Sequence, residues 1–306
     1  MEMIKRFGWF LLQKPWRAGL IAFLLSATPI FGIPFLSWIA DVIIAFVTLR
    51  NGWRDGFIIL GFSVLTPLIF GVTLDDGLII VQQVLTGSLA IFVFALLLRH
   101  QASWRRVVEV AAWVGVGVVV LVHVFAGNVD AWWYKQINQA FVSMGRFADM
   151  NPKTAQPIID AELAMLVPIA TGLSIAWLLM VSLINLGIAR WWQAMLFNPL
   201  GLRPELLSIR LGWSVVAGFC AALLAGTFFT ATGWDYLMPF LAALVVSGLS
   251  MIHYFFDIRP SKSKWRLIVF YGVLILMSPY VLGFIVLVAL NDSVLDLRKR
   301  LVKKEG

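Results

Sequence analysis

Ala18–Leu49 reads AGLIAFLLSATPIFGIPFLSWIADVIIAFVTL, and its 32 residues hold a single charge, Asp41. One crossing of the roughly 30 Å hydrocarbon core takes about 20 apolar residues. The stretch is too long for one helix, and Pro29, Gly32 and Pro34 divide it. Proline lacks the N–H of the helical ladder and disfavours helical geometry in the residue before it. The pattern predicts two short helices, near 17–31 and 34–50, folded back as a hairpin. Leu267–Leu290 repeats the arrangement at the other end, where Pro279 cuts an apolar run into predicted helices near 264–278 and 280–297.

Six long, nearly charge-free runs lie between these ends: Gly56–Thr73, Gly77–Leu98, Val107–Gly127, Ala161–Ala189, Leu211–Ala231 and Tyr236–Phe256. The composition agrees. Hydrophobic residues make up 61% and charged residues 13% of the 306, where soluble chains carry about 45–50% and 25%. A soluble globule, a disordered chain and a nucleic-acid module are excluded, and Cys220 as the one cysteine excludes a disulfide scaffold. The expected fold is all-α: one polytopic membrane bundle over residues 1–306 with about ten spans, or eight if each Pro-broken hairpin is a single element.

The net charge of +8 acquires meaning once it is sorted by side. Cytoplasmic loops collect Lys and Arg. With the N-terminus inside and both hairpins returning to their starting side, 21 of the 24 basic residues fall in cytoplasmic segments, leaving Lys135, Arg146 and Lys153 outside. Both termini are then cytoplasmic, and a bacterial cytoplasmic (inner) membrane is the expected location. No nucleic-acid partner is implied.

Four segments lie outside the expected spans. Residues 1–17 carry Ile4, Phe7, Phe10 and Leu11 at helical spacing among Lys5, Lys14 and Arg17, the pattern of a helix lying on the inner leaflet. Residues 128–160 hold an external amphipathic helix and loop. There Asp130 is the expected cap, Trp133, Ile137, Phe141, Met144 and Ala148 the apolar stripe, and Asn151-Pro152 the stop. That helix reads as an interfacial anchor or as a lid over an outward cavity. Residues 190–210 form a cytoplasmic interfacial segment in two short helical pieces, broken by Asn198-Pro199, Gly201 and Arg203-Pro204. Its Arg190, Trp191, Trp192, Asn198, Arg203 and Arg210 are expected to meet anionic lipid or to couple a cytoplasmic or membrane protein partner. Residues 298–306 form a basic cytoplasmic tail.

The string Ala189-Arg190-Trp191-Trp192-Gln193, followed by Asn198-Pro199, Gly201-Leu202-Arg203, Glu205 and then Leu207-Ser208-Ile209-Arg210-Leu211, resembles the YybS-like family of predicted bacterial membrane proteins. Asp292, Asp296, Leu297 and Arg298 after the last apolar run are similar too. That family carries a domain of unknown function and is distantly similar to the substrate-binding membrane subunits of energy-coupling-factor transporters. The resemblance implies a multi-pass membrane protein and no catalytic residue. The chain has more apolar segments than the six of such a subunit.

Ionisable residues inside spans are expensive and are functional candidates by default. Asp41 is foremost: with no basic neighbour in sequence, it is protonated, paired across helices, or set against a wet cavity. Gln82, Gln83 and His123 join it on the outer half of the bundle, near Asp160, Glu162 and Asp235, as candidate contacts for a small solute. Asp75-Asp76-Gly77 reads as a helix cap or a cation site, and His253 with Asp257 as a pair four apart on one helix. No ATP-binding glycine-lysine loop, zinc-ligand spacing or serine-nucleophile turn is present, so no cofactor or metal is implied and nothing supports an enzyme. Two readings follow. One is a transport-type protein with an outward-facing polar cavity that does not hydrolyse ATP itself. The other is a non-transporting scaffold or assembly factor that recruits partners through its basic cytoplasmic face.

Overall fold

The computed structural model describes residues 2–71, 77–101, 103–145, 152–230, 232–258 and 265–302, and all their regular structure is helical. The chain opens with α1 (Glu2–Gln13), α2 (Pro15–Ser26), α3 (Ser37–Asn51), α4 (Trp53–Gly71) and α5 (Gly77–Gln101). Next come α6 (Trp104–Phe125), α7 (Val129–Ser143), α8 (Pro152–Leu166), α9 (Ala170–Phe197) and α10 (Leu202–Leu207). It closes with α11 (Trp213–Phe228), α12 (Thr232–Ile258), α13 (Trp265–Leu276), α14 (Ser278–Leu295) and α15 (Leu297–Val302). Among the described residues six segments are long and apolar enough to cross a membrane: Pro34–Asn51, Trp53–Phe70, Val84–Gln101, Trp104–Phe125, Ala155–Phe197 and Thr232–Ile258. Trp265–Leu276 and Tyr280–Leu295, bent by 120° at their break, make a seventh if counted as one span. The protein is a multi-pass α-helical membrane protein.

Both Pro-broken ends are broken where proline requires it. Between α2 and α3 the chain makes short 3-10 turns at Thr28–Phe31 and Pro34–Leu36, with Gly32 in the left-handed region at φ 76°, and α2 packs against α3. In the second break Pro279 lies in the first turn of α14, a place that asks for no N–H donor.

The described residues fall into two compact units, one of residues 1–108, 178–209 and 253–257, the other of 109–177, 210–252 and 258–306. The apolar run expected at 161–189 lies within the candidate span Ala155–Phe197, with a 3-10 turn at Val167–Ile169, where Pro168 interrupts the ladder. Other sequence expectations are corrected. Residues 152–160, expected as loop, belong to α8, because Pro152 starts a helix as readily as it stops one. Asn128, not Asp130, caps α7, its side chain accepting from Ala131 N at 3.0 Å. The first piece of the 190–210 segment is the last two turns of α9, since no breaker intervenes before Asn198-Pro199.

In the first unit α3 is the core, buried continuously from Val42 to Leu49, as expected of a helix that is apolar all round. The contact of α2 with α4 is close and polar at points: Gly19 lies under the Phe62 ring, Ser26 Oγ meets Ser63 Oγ at 2.5 Å, and Thr66 Oγ1 donates to Phe23 O at 2.7 Å. Small residues and hydroxyls serve this purpose between helices in lipid. In the second unit α12 is the core. Gly233 lies against Gly226 of α11, Gly248 against the Ile285 carbonyl of α14, and the Trp113 ring of α6 meets Phe240 edge-on at 5.0 Å.

A methyl group at Gly233 or Gly248 would overlap neighbouring backbone, whereas one at Gly61 of α4 would meet nothing within 4 Å. Gly233→Ala and Gly248→Ala should each cost about 1–3 kcal/mol, and Gly61→Ala should be near neutral. Thermal unfolding of the detergent-solubilised variants reads the difference.

Candidate functional site

Four elements of the second unit meet at one buried carboxylate. Asp235, expected in an external turn, lies in the first turn of α12 and is 2% exposed. Its Oδ1 accepts from the backbone N–H of Gly172 at 2.5 Å, and its Oδ2 shares a hydrogen bond with His123 Nε2 of α6 at 2.7 Å. Thr171 adds a side-chain hydrogen bond, and Trp133 Nε1 of α7 donates to Thr171 Oγ1 at 2.9 Å. Gly172 opens α9, so the carboxylate occupies a helix N-terminus, where unpaired N–H groups and the helix dipole favour negative charge. Only glycine fits at 172, because a side chain there would run into the Asp235 backbone. Through Trp133 the amphipathic helix α7 is tied to the carboxylate that holds His123.

Asp41 belongs to the first unit and has its own arrangement. It lies on α3, half-buried, and Ser88 Oγ of α5 donates to its Oδ1 at 2.7 Å. Gly87 faces the second oxygen: a Cβ built there would stand 3.6 Å from Oδ2, in ordinary van der Waals contact. Among the described residues no cation pairs with Asp41, and the Ser88 hydroxyl is the hydrogen-bond partner it has. The backbone of Gln82 and Gln83 belongs to α5, but their side chains lie outside the described residues, as do Asp75 and Asp76. Asn185 is buried on α9, its Nδ2 without a partner among the described residues.

Most of the side chains singled out in 190–210 are paired or packed within the protein. Arg190 grips Glu205 of α10 with Nε at 3.1 Å and Nη2 at 2.5 Å, and Trp104 Nε1 donates to the same carboxylate at 3.2 Å. Trp192 is buried, stacked on Phe46 with centroids 4.7 Å apart, and donates to the carbonyl of Ile4 in α1 at 3.2 Å. Trp191 points outward. Asn198 N closes α9 on Ala194 O at 2.8 Å, and its amide packs over Gly201. Arg203 pairs with Asp257, the carboxylate that the sequence spacing offers to His253.

Arg210 belongs to the second unit. Its guanidinium closes the end of α14, donating to the carbonyls of Asp292 at 3.0 Å and Ser293 at 3.1 Å and to Asp296 Oδ2 at 3.0 Å. The chain reverses at Asp296 in the left-handed region (φ 51°). That turn lets Arg298 Nε reach the fully buried Asp292 at 3.0 Å, while its Nη2 donates to Ser250 Oγ at 3.3 Å. The Lys299 ammonium, with Arg210, holds the Asp296 carboxyl below the usual carboxylate range. Sequence alone pointed to Asp292, Asp296 and Arg298 only as a resemblance; their link to Arg210 is a long-range contact with no local signal.

No described group of three or more His, Cys, Asp and Glu has the arrangement of a metal site. Fold and site define a polytopic α-helical membrane protein with ionisable residues built into its apolar helices. The chain belongs to the DUF2232 family of predicted membrane proteins, whose model matches residues 19–293. No curated protein and no solved structure matches it.

Asp235→Ala would leave His123 and the Gly172 N–H unmet in a buried place. It should lower the stability of the solubilised protein by about 3–5 kcal/mol, the range for breaking a buried pair. A double-mutant cycle with His123→Gln should show a coupling of about 1–3 kcal/mol.

Proposed function

We propose that this is a membrane protein of transport type, which binds a small solute in a polar cavity open to the outside and leaves ATP hydrolysis to other proteins. The observation that carries the reading is Asp41: a carboxylate in an apolar helix, held by the Ser88 hydroxyl, with its second oxygen facing Gly87. A carboxylate without a cation is costly in such surroundings, and a solute or ion that supplies the missing partner offsets the cost. Gln82 and Gln83, on the helix that carries Ser88, extend the solute-facing set. His123, whose Nε2 is committed to Asp235, is assigned to the outer knot that Trp133 ties down.

The resemblance to YybS-like proteins, and through them to substrate-binding transporter subunits, supports the reading. So does the internal pairing of Arg190, Trp192 and Arg203, which leaves the 190–210 segment little with which to recruit a partner as a scaffold would. Ten helical segments with both termini in the cytoplasm, in a bacterial inner membrane, is the topology the charge distribution supports.

Single cysteines test it in a Cys220→Ser background. Asp41→Cys and Gln83→Cys should react with a membrane-impermeant thiol reagent applied to the external side of intact cells. Asn151→Cys should react likewise as the external reference, and Lys304→Cys only after permeabilisation. Protection of Asp41→Cys and Gln83→Cys from the outside, with Asn151→Cys labelled, would sink the outward cavity. External labelling of Lys304→Cys would overturn the topology.

A further inference from the structure

Some arginines of the first unit are satisfied within the protein. Arg190 and Arg203 are neutralised by Glu205 and Asp257, and Arg99 donates to the last carbonyls of α3, Leu49 and Arg50, at 2.7 and 2.6 Å. Lys5, Arg6, Lys14, Arg50 and Arg54 have no hydrogen bond or ion pair to an acid among the described residues. Arg50 and the start of α4 are brought to α1, which carries Lys5 and Arg6, because α1 is fastened to the end of α3. Asn51 Nδ2 donates to Leu12 O at 3.3 Å, and the Trp9 ring meets Phe197 at 5.2 Å. The other partner of Phe197 is Arg50, whose guanidinium lies 3.9 Å from the ring centroid. Arg54 stands over Trp53 at 5.5 Å. The acids nearby are Glu2 and Asp55, and Asp55 is engaged by Asn51 at 2.7 Å. Around the cations Trp9, Phe10, Trp16, Trp53 and Phe57 are exposed, Trp53 by 58% and Phe57 by 60%.

We infer that this end of the first unit, formed by α1 and the turn from α3 into α4, is a binding surface for anionic phospholipid headgroups. Amphipathic aromatic rings settle at the headgroup level, and unpaired Lys and Arg beside them attract anionic lipid. Arginine stacked on an aromatic face keeps its N–H fork free for a phosphate. Cation and ring are therefore preassembled for the phosphodiester of a lipid whose acyl chains lie along α2 and α4. The surface is not the 190–210 segment, where the basic charge is already matched. The inference stands apart from the solute reading, since it uses neither Asp41 nor His123.

The test titrates full-length, detergent-solubilised protein with phosphatidylglycerol or phosphatidylcholine and counts bound lipid by native mass spectrometry. Phosphatidylglycerol should bind preferentially, and Arg50→Gln/Arg54→Gln should weaken it at least tenfold, at about fivefold per basic residue removed. Phosphatidylcholine binding and the unfolding temperature should be unchanged. Arg203→Gln should leave phosphatidylglycerol affinity within twofold. Equal binding of the two lipids, unchanged affinity in the double variant, or an equal loss in Arg203→Gln would each overturn the assignment.

Discussion

Hydrocarbon offers no hydrogen-bond partner, so each polar group in an apolar helix of this chain has to find one within the protein. The backbone meets the demand through regular structure that, among the described residues, is all helical. Side chains meet it pairwise: Ser26 with Ser63, Thr66 with the carbonyl of Phe23, Ser88 with Asp41, His123 with Asp235. Each pair joins two helices, so satisfying the polar group also sets which helices lie side by side. Glycine at the closest approaches, Gly172 and Gly248 among them, lets backbones come near enough for such short side chains to reach.

Helix ends pose the same problem in concentrated form, because each leaves four N–H or C=O groups unmet. The chain answers with charged side chains from far along the sequence. Asp235 takes an N–H at the start of α9, and Glu109 accepts from Gly212 N before α11 at 2.6 Å. Arg99 closes α3, and Arg210 closes α14. Acids stand at helix starts and arginines at helix ends, the sense the helix dipole favours. Several of the charged residues of a chain that is only 13% charged thereby serve architecture. That use is what makes the remainder informative: Asp41, with one hydroxyl partner, and the unmatched cations around α1 stand out against groups that are fully engaged.

How much of this was legible in the sequence depended on the range of the interaction. Pro29, Gly32, Pro34 and Pro279 mark their breaks because proline acts on its immediate neighbours, and both breaks are where the residues imply. Pro152 was ambiguous for the same local reason, since it serves a helix start as well as a stop. Asp41 was conspicuous as a lone charge in an apolar run. Asp235 was not, because its importance comes from Gly172 and His123, residues 63 and 112 positions away. The charged stretch 190–210 was legible as a feature and opaque as to role. Its arginines look available in sequence, yet Glu205 and Asp257 occupy two of them and the end of α14 the third.

The sequence by itself determined that this is a multi-pass helical membrane protein and where proline divides its terminal helices. Hydrophobicity over about 20 residues and the geometry of proline are local properties that no tertiary contact can reverse. It also determined the asymmetry of basic charge on which the proposed sidedness rests. Only the tertiary structure decided which charges are free. Whether a carboxylate or guanidinium is neutralised depends on groups brought within about 3 Å from distant parts of the chain. The partners of Asp41, His123, Arg190 and Arg210 are therefore facts of packing.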